Sequence, residues 1–282
     1  MRGSARGPMI VMLVVAACAI APVFCDAQER AVEARNRALL DRKLGLFTAP
    51  LAARLDPRAR QVLGRIRSAG RWLLALRYYH VRSADLDSLW TWSRDQAAAY
   101  RRTDEFTAMV AAIENVRDTF ALLNPGFAIR VEIGQRSLAR QIVNWNSVRS
   151  VGAAADSLVA YCRMLMEDTL LSETPDAMAQ RLFDSLFLGA PDPIEPTVAL
   201  PGFSQHGQLR AFDFKIVTKG GRLIAGASSR AIAPIWEARG WTARLREAVD
   251  RACPGCFVGP LQKPYEPWHY TWIGPASDST GP

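Results

Sequence analysis

Hydrophobic positions recur at helical spacing from about Glu29 to Leu122 and then switch to alternation, so the chain changes texture near Asn124-Pro125-Gly126. From about Glu29 to Leu122 the pattern predicts helices. Pro57 can open one that passes Val62 and Ile66 toward Trp72–Leu76, with Gly70 weakening its middle. Ser83 and Thr103 stand where N-caps are expected, followed by Asp85 and Asp87 and by Asp104 and Glu105 in the first turns. Phe106, Val110, Ile113 and Phe120 make the apolar stripe of the second of these helices. Trp90 and Trp92 could offer a sugar-binding platform, but aromatics in a helical region belong first to a core.

Beyond Gly126, Phe127, Ile129, Val131 and Ile133 alternate with Ala128, Arg130 and Glu132, the signature of a half-buried strand. Helical spacing returns from Leu138 to about Phe187, and Gly189–Pro201 is a proline-rich connector. A second alternating strand, Phe212–Val217, meets Lys219-Gly220-Gly221 and returns through Arg222–Ala225 as a hairpin. A further helix covers about Ile232–Ala252, and a last strand His269–Ile273. Helices gathered before and between antiparallel strands predict an α+β fold, a small antiparallel sheet flanked by helices with an N-terminal helical region. The expected division is residues 1–27, 28–102, 103–276 and a disordered tail 277–282.

The first segment reads as a leader rather than as part of the fold. Arg2 and Arg6 precede an apolar run from Met9 to about Phe24, and Cys25-Asp26-Ala27 can end a secretory signal. The run is short for a spanning helix, which argues for export to the periplasm or medium and against a stable transmembrane anchor. Val15-Ala16-Ala17-Cys18 loosely resembles a lipobox, so lipid anchoring at Cys18 is the variant of this expectation. The formal charge of +8 becomes +7 once the two arginines and one aspartate of residues 1–27 are removed. Positive charge on an exported chain suits an anionic wall polymer. Nucleic acid is not expected, because no basic stretch is interleaved with aromatics in a recognisable module. Cys253-Pro254-Gly255-Cys256 reads as a local disulfide that stiffens a turn, leaving Cys162 as a buried thiol.

Two of the three histidines sit in segments with metal chemistry. Ser204-Gln205-His206 is followed by Ala211-Phe212-Asp213, and Tyr265-Glu266-Pro267-Trp268-His269-Tyr270 lies downstream. His206, Asp213 and His269 are ligands that zinc accepts, and a carboxylate three residues before the last one is the usual partner of an activated water. Strand phase aims Asp213 away from Phe212, Phe214 and Ile216. Gly207 supplies freedom for the turn that must bring His206 over the same face. Residues three apart on a regular strand diverge, but Pro267 allows a turn from which Glu266 and His269 converge, with Trp268, Tyr270 and Trp272 packed away from His269.

These segments resemble the D-alanyl-D-alanine carboxypeptidase and dipeptidase family, the VanY- and VanX-type zinc peptidases. Ser204, His206, Ala211 and Asp213 match that family's first pattern and Glu266 and His269 its second. Gly134-Gln135-Arg136-Ser137 with Gln141 resembles its Gly-Tyr-Arg-Ser-x-x-x-Gln segment. The likeness spans about residues 105–275. Leu209 stands where the family has glycine, Gln135 where it has tyrosine, and the stretch between the arginine and histidine segments is long.

The resemblance implies Zn2+ held by His206, Asp213 and His269, Glu266 as general base, and Arg136 on the substrate carbonyl and developing oxyanion. Ser204, Gln141 and Trp268 are the substrate-binding candidates; Ser204 alternatively caps the ligand turn, and Gln141 alternatively supports the site from behind. The implied activity is a hydrolase of peptidoglycan, a metallopeptidase cleaving bonds that involve D-amino acids in stem peptides or cross-links. Leu209 motivates the alternative, a catalytically degenerate module that binds wall peptide or a partner protein. A third idea places the function in an envelope scaffold built from the N-terminal helices. Carboxypeptidase, dipeptidase and endopeptidase action, and the oligomeric state, are left open by the residues.

Overall fold

A computed structural model describes residues 41–167, 176–191 and 194–275. The expected leader 1–27, with Cys18, and the tail 277–282 lie outside the described residues. The described chain runs through helices α1 (41–54), α2 (Pro57–Leu63), α3 (Ala69–Val81), α4 (Leu86–Leu89), α5 (Arg94–Tyr100) and α6 (Asp104–Leu123). Strand β1 (Phe127–Arg130) follows, then α7 (Leu138–Ser147), α8 (Arg149–Glu167) and α9 (Ala177–Leu188). Strands β2 (Ala211–Asp213), β3 (Lys215–Thr218) and β4 (Leu223–Ala225) precede α10 (Trp241–Ala252). Four short strands complete it: β5 (Phe257–Val258), β6 (Leu261–Gln262), β7 (Tyr265–Glu266) and β8 (His269–Trp272). This is the expected mixture of helix and small antiparallel sheets. Among the described residues, no helix is long and apolar enough to cross a membrane.

Contacts group the described residues into two compact units, one of 41–54 with 160–167 and 176–190 and the other of 55–159 with 191 and 194–275. Helices from Pro57 onward share the larger unit with the strands. In the smaller unit Phe183 packs between Phe47 and Phe187, at ring separations of 5.0 and 5.3 Å, and Arg54 pairs with Asp184.

In the larger unit the helix from Pro57 to Leu76 is two helices. Asp56 caps the first and Ser68 the second, with a break at Gly64. Gly70 then falls in the first turn of α3, where a Cβ would press on Val159 at 3.2 Å. Thr103 caps α6 through the Phe106 amide as expected, but Ser83 caps nothing: it opens a 3-10 turn, and the capping box belongs to Ser93 and Gln96. Trp90 packs on Tyr79 and Phe203, and Trp92 on Tyr100, so both rings serve packing. The buried face of α6 (Met109, Ile113, Val116, Phe120) meets α10, where Trp241 contacts Phe120 and Phe127. The helix expected over Ile232–Ala252 is a π-helical segment, Ile232–Glu237, and then α10, interrupted by Gly240 in the left-handed region. The Cys253–Cys256 disulfide closes the end of α10, and Cys162 is buried.

The strands form two three-stranded antiparallel sheets, β1-β3-β4 and β2-β8-β5, and a separate hairpin β6-β7. The expected strand Phe212–Val217 is divided between both sheets, breaking at Phe214, whose amide bonds to Trp268 O. Its phase holds through the break: Phe212, Phe214 and Ile216 are buried, while Asp213 and Lys215 are partly exposed. The β3–β4 hairpin forms with Gly221 at positive φ. β1 stops at Arg130, short of the expected Ile133. The strands β5, β6 and β7 were not anticipated, being two residues long and lacking a readable period.

Candidate metal centre

Asp213 ends β2 and pairs directly with His269 at the start of β8. Directly opposed residues on antiparallel strands share a face, with Cβ atoms about 4.5–5.5 Å apart. Asp213 Oδ1 accordingly lies 3.2 Å from His269 Nδ1. The alternate residues Tyr270 and Trp272 pack inward on Phe214 and Phe257. Trp268 packs on Trp236 and also borders the cleft.

His206 arrives from a 3-10 turn, Gln205–Gln208, that ends with Leu209 in the left-handed region at φ 57°. That conformation costs an L residue about 1–2 kcal/mol. The Leu209 side chain is 1% exposed within the core, and burying a leucine contributes about 1.5–3 kcal/mol. Burial therefore offsets the strain, and the turn forms without glycine at this position. Gly207 contributes room more than freedom: a Cβ there would run into Thr91 Oγ1 and Gln141 Nε2. Its carbonyl accepts from the Trp92 amide and Gln135 Nε2.

His206 Nε2 stands 3.5 Å from Asp213 Oδ1, and ligand atoms of all three residues lie within 4.8 Å of one another. Ligands about 2.0–2.2 Å from a tetrahedral ion stand about 3.3–3.6 Å apart. His206 Nε2 is also buried with no hydrogen-bond partner. An orphaned ring nitrogen aimed at two further ligands is costly in a fold unless something binds it. His206, Asp213 and His269 could thus hold a metal ion, and the residues fit one.

Burial works against ionising Asp213, but the nearby imidazoles outweigh it and hold the carboxyl well below the usual carboxylate range. Burial lowers the His206 pKa, against the pull of Asp213, which favours the neutral imidazole that binds metals. Glu266 follows the opposite course from Asp213. It ends β7, and the Pro267-Trp268 turn brings its Oε2 to 3.5 Å from His269 Nδ1. Burial pushes its carboxyl up to about 7, with Asp213 assisting and His269 and Arg136 opposing. Two neighbouring carboxyls driven apart in this way can serve as permanent ligand and exchangeable proton carrier.

Arg136 donates from Nη2 to Asp213 Oδ2 at 3.0 Å while its side chain keeps 34% exposure beside the cleft. Its amide donates to His206 O. Ser204 precedes the ligand turn, but its side chain makes no capping bond there; it borders the cleft. Gln141 is buried, and its amide is engaged at both ends: Nε2 with Thr91 Oγ1 and Arg136 O, Oε1 with the Gly202 amide. That engagement fits support from behind and leaves little for substrate. Sequence patterning missed Gln205, which accepts from Thr271 Oγ1 at 2.7 Å, and Thr91. Neither carries a periodic or charge signal that marks it. The assembled residues sit at a cleft of about 840 Å3, walled by Tyr78, Val81 and Phe203 and by the β6–β7 hairpin with Lys263.

Comparison of the chain with protein-family models, with curated proteins and with solved structures finds no match.

Proposed function

We propose that this chain is an exported zinc-dependent peptidase that hydrolyses bonds involving D-amino acids in peptidoglycan stem peptides or cross-links, a divergent relative of the VanY- and VanX-type enzymes. The observation that carries the proposal is the convergence of His206, Asp213, His269, Glu266 and Arg136 from four separate segments at one cleft. His206, Asp213 and His269 would hold the ion. When bound, zinc supplies Lewis acidity, polarising a carbonyl and lowering the pKa of water from 15.7 to about 7.

The protein's own residues supply the rest. Glu266 takes a proton from the attacking water and passes it to the departing amine, a role suited to a carboxyl drawn toward neutrality. Arg136 holds Asp213 with one N–H and has further guanidinium donors for the substrate carbonyl. A donor of this kind acts on the oxyanion of the transition state, where its loss costs about 3–4 kcal/mol. A cleft within the 300–1,000 Å3 range of small-ligand sites suits a short peptide. The leader pattern and net positive charge of the sequence support export toward an anionic wall.

The test is to measure zinc bound by the purified protein and to incubate it with defined muropeptides beside Glu266→Ala. Stoichiometric zinc with Glu266-dependent product is the expected result. Zinc binding without turnover of any muropeptide would favour the degenerate binding module, and absence of tight zinc would remove both readings.

A further inference from the structure

We propose that Gln135, Gln141 and Gln208 are positioning residues for His206, gripping the ligand turn through the Ser88–Trp92 segment so that Leu209 stays left-handed. The proposal rests on the metal-centre reading and on no particular substrate.

Three glutamines from separate places in the chain meet at one turn. Gln208 Nε2 donates to Ser88 O and Trp90 O, at 2.8 and 3.1 Å. Gln135 Nε2 donates to Trp92 O at 2.7 Å and to Gly207 O at 3.1 Å. Gln141 joins Thr91, the Gly202 amide and Arg136 O, and the Arg136 amide returns to His206 O. Backbone bonds Thr91 N–Gly202 O and Trp92 N–Gly207 O complete the grip. The turn is thus fastened on the carbonyl of His206, the carbonyl of Gly207 and the side chain of Gln208, immediately before the one non-glycine residue with positive φ among those described.

The two single-residue departures from the family pattern meet here. Gln135 stands in place of a tyrosine and Leu209 in place of a glycine, and the amide of the first bonds to the carbonyl two residues before the second. Glycine would take the left-handed conformation at little cost. Leucine resists it, and burial of its side chain offsets that strain only narrowly, so loss of the outside bonds would move part of the population out of the ligand-competent turn. A metal that binds only the competent conformation has its apparent affinity reduced in proportion to that fraction.

The experiment uses the full chain. Gln135→Met is expected to weaken zinc binding about tenfold in competition with a chromophoric chelator, the scale of loss seen when support behind a ligand is removed. Leu209→Gly in the same background should restore affinity to within about threefold of wild type while lowering stability to urea. A general loss of structure moves affinity and stability in the same direction and cannot give that result. Unchanged zinc affinity in Gln135→Met, or a folded double variant that binds no better than Gln135→Met, overturns the proposal.

A second measurement covers the case in which the double variant does not fold. In metal-free Gln135→Met, the Leu209 and Arg210 amides, which bond to His206 O and Gln205 O, should exchange with deuterium about tenfold faster than in wild type, with α6 unchanged. Equal exchange overturns the proposal. A wild-type chain that binds no zinc overturns the metal-centre reading alone, and the exchange comparison then decides the grip.

Discussion

The two segments that deliver histidine to Asp213 are held by different forces. His269 starts a strand: it is paired in register with Asp213, and Trp268, Tyr270 and Trp272 anchor it in the core through ring contacts. His206 sits in a short irregular turn with a left-handed leucine, held by the side-chain amide of Gln135, 72 positions away, and by the turn's own Gln208 amide reaching Ser88 O, 120 positions away. The strand half depends on apolar burial, which is non-directional and tolerant. The turn half depends on a few hydrogen bonds of defined geometry, each worth only about 0.5–1.5 kcal/mol. A candidate metal centre can therefore pair one ligand placed by apolar burial with one placed by a few directional bonds.

The largest expected effect breaks the strand half. Trp268→Ala removes a buried aromatic packed on Trp236 and should cost about 3–5 kcal/mol in urea unfolding. The loss should appear in the metal-free protein too, because it arises from packing.

Next comes Glu266, at the edge of the same half. Its folded pKa is raised from 4.5 to about 7, so the ionised form is disfavoured in the fold. The penalty is absent below about pH 4.5 and grows as pH rises toward 7. Metal-free Glu266→Gln should accordingly be more stable than wild type by up to about 3 kcal/mol above pH 7. The difference should vanish near pH 4, as checked by urea denaturation of chelator-treated proteins. A constant difference across that range would mean that burial of the charge is not its cause.

In the turn half, Leu209→Gly sets lost burial against relieved strain. A buried leucine truncated to alanine costs about 2–5 kcal/mol, and the left-handed backbone returns about 1–2. A net loss of about 2 kcal/mol, the middle of that difference, is expected in the same assay, and a gain in stability would show that the strain exceeds the burial. The smallest effect should come from Thr271→Val, which removes the Thr271–Gln205 bond between the two halves. About 1 kcal/mol is expected, with zinc affinity measured alongside to show whether the halves are coupled.

The legible parts of the molecule have a common character. The apolar stripe of α6, the Thr103 cap, the face of Asp213 and the Pro267 turn all follow from local period or local turn chemistry. The errors also share a cause. The helix expected from Pro57 to Leu76 ignored the break at Gly64, and the strand Phe212–Val217 ran through a change of sheet that Phe214 makes by bonding to Trp268. A two-residue strand such as β6 has no period to read. Thr91 as a partner of Gln141, and Gln135 as a donor to the Gly207 carbonyl, became visible only through contacts between segments far apart in sequence.

By itself the sequence determined the helical and alternating regions, the types of residue able to ligate a metal, and the direction Asp213 takes from its strand. These are properties of neighbours along the chain, where side-chain direction is set by backbone period. Only the tertiary structure decided that Asp213 faces His269 across a strand pair, that Arg136 binds the second oxygen of Asp213, and that a leucine serves in a left-handed turn. Each of these depends on contacts between distant segments, whose burial and hydrogen bonding outweigh the local preferences that a sequence displays.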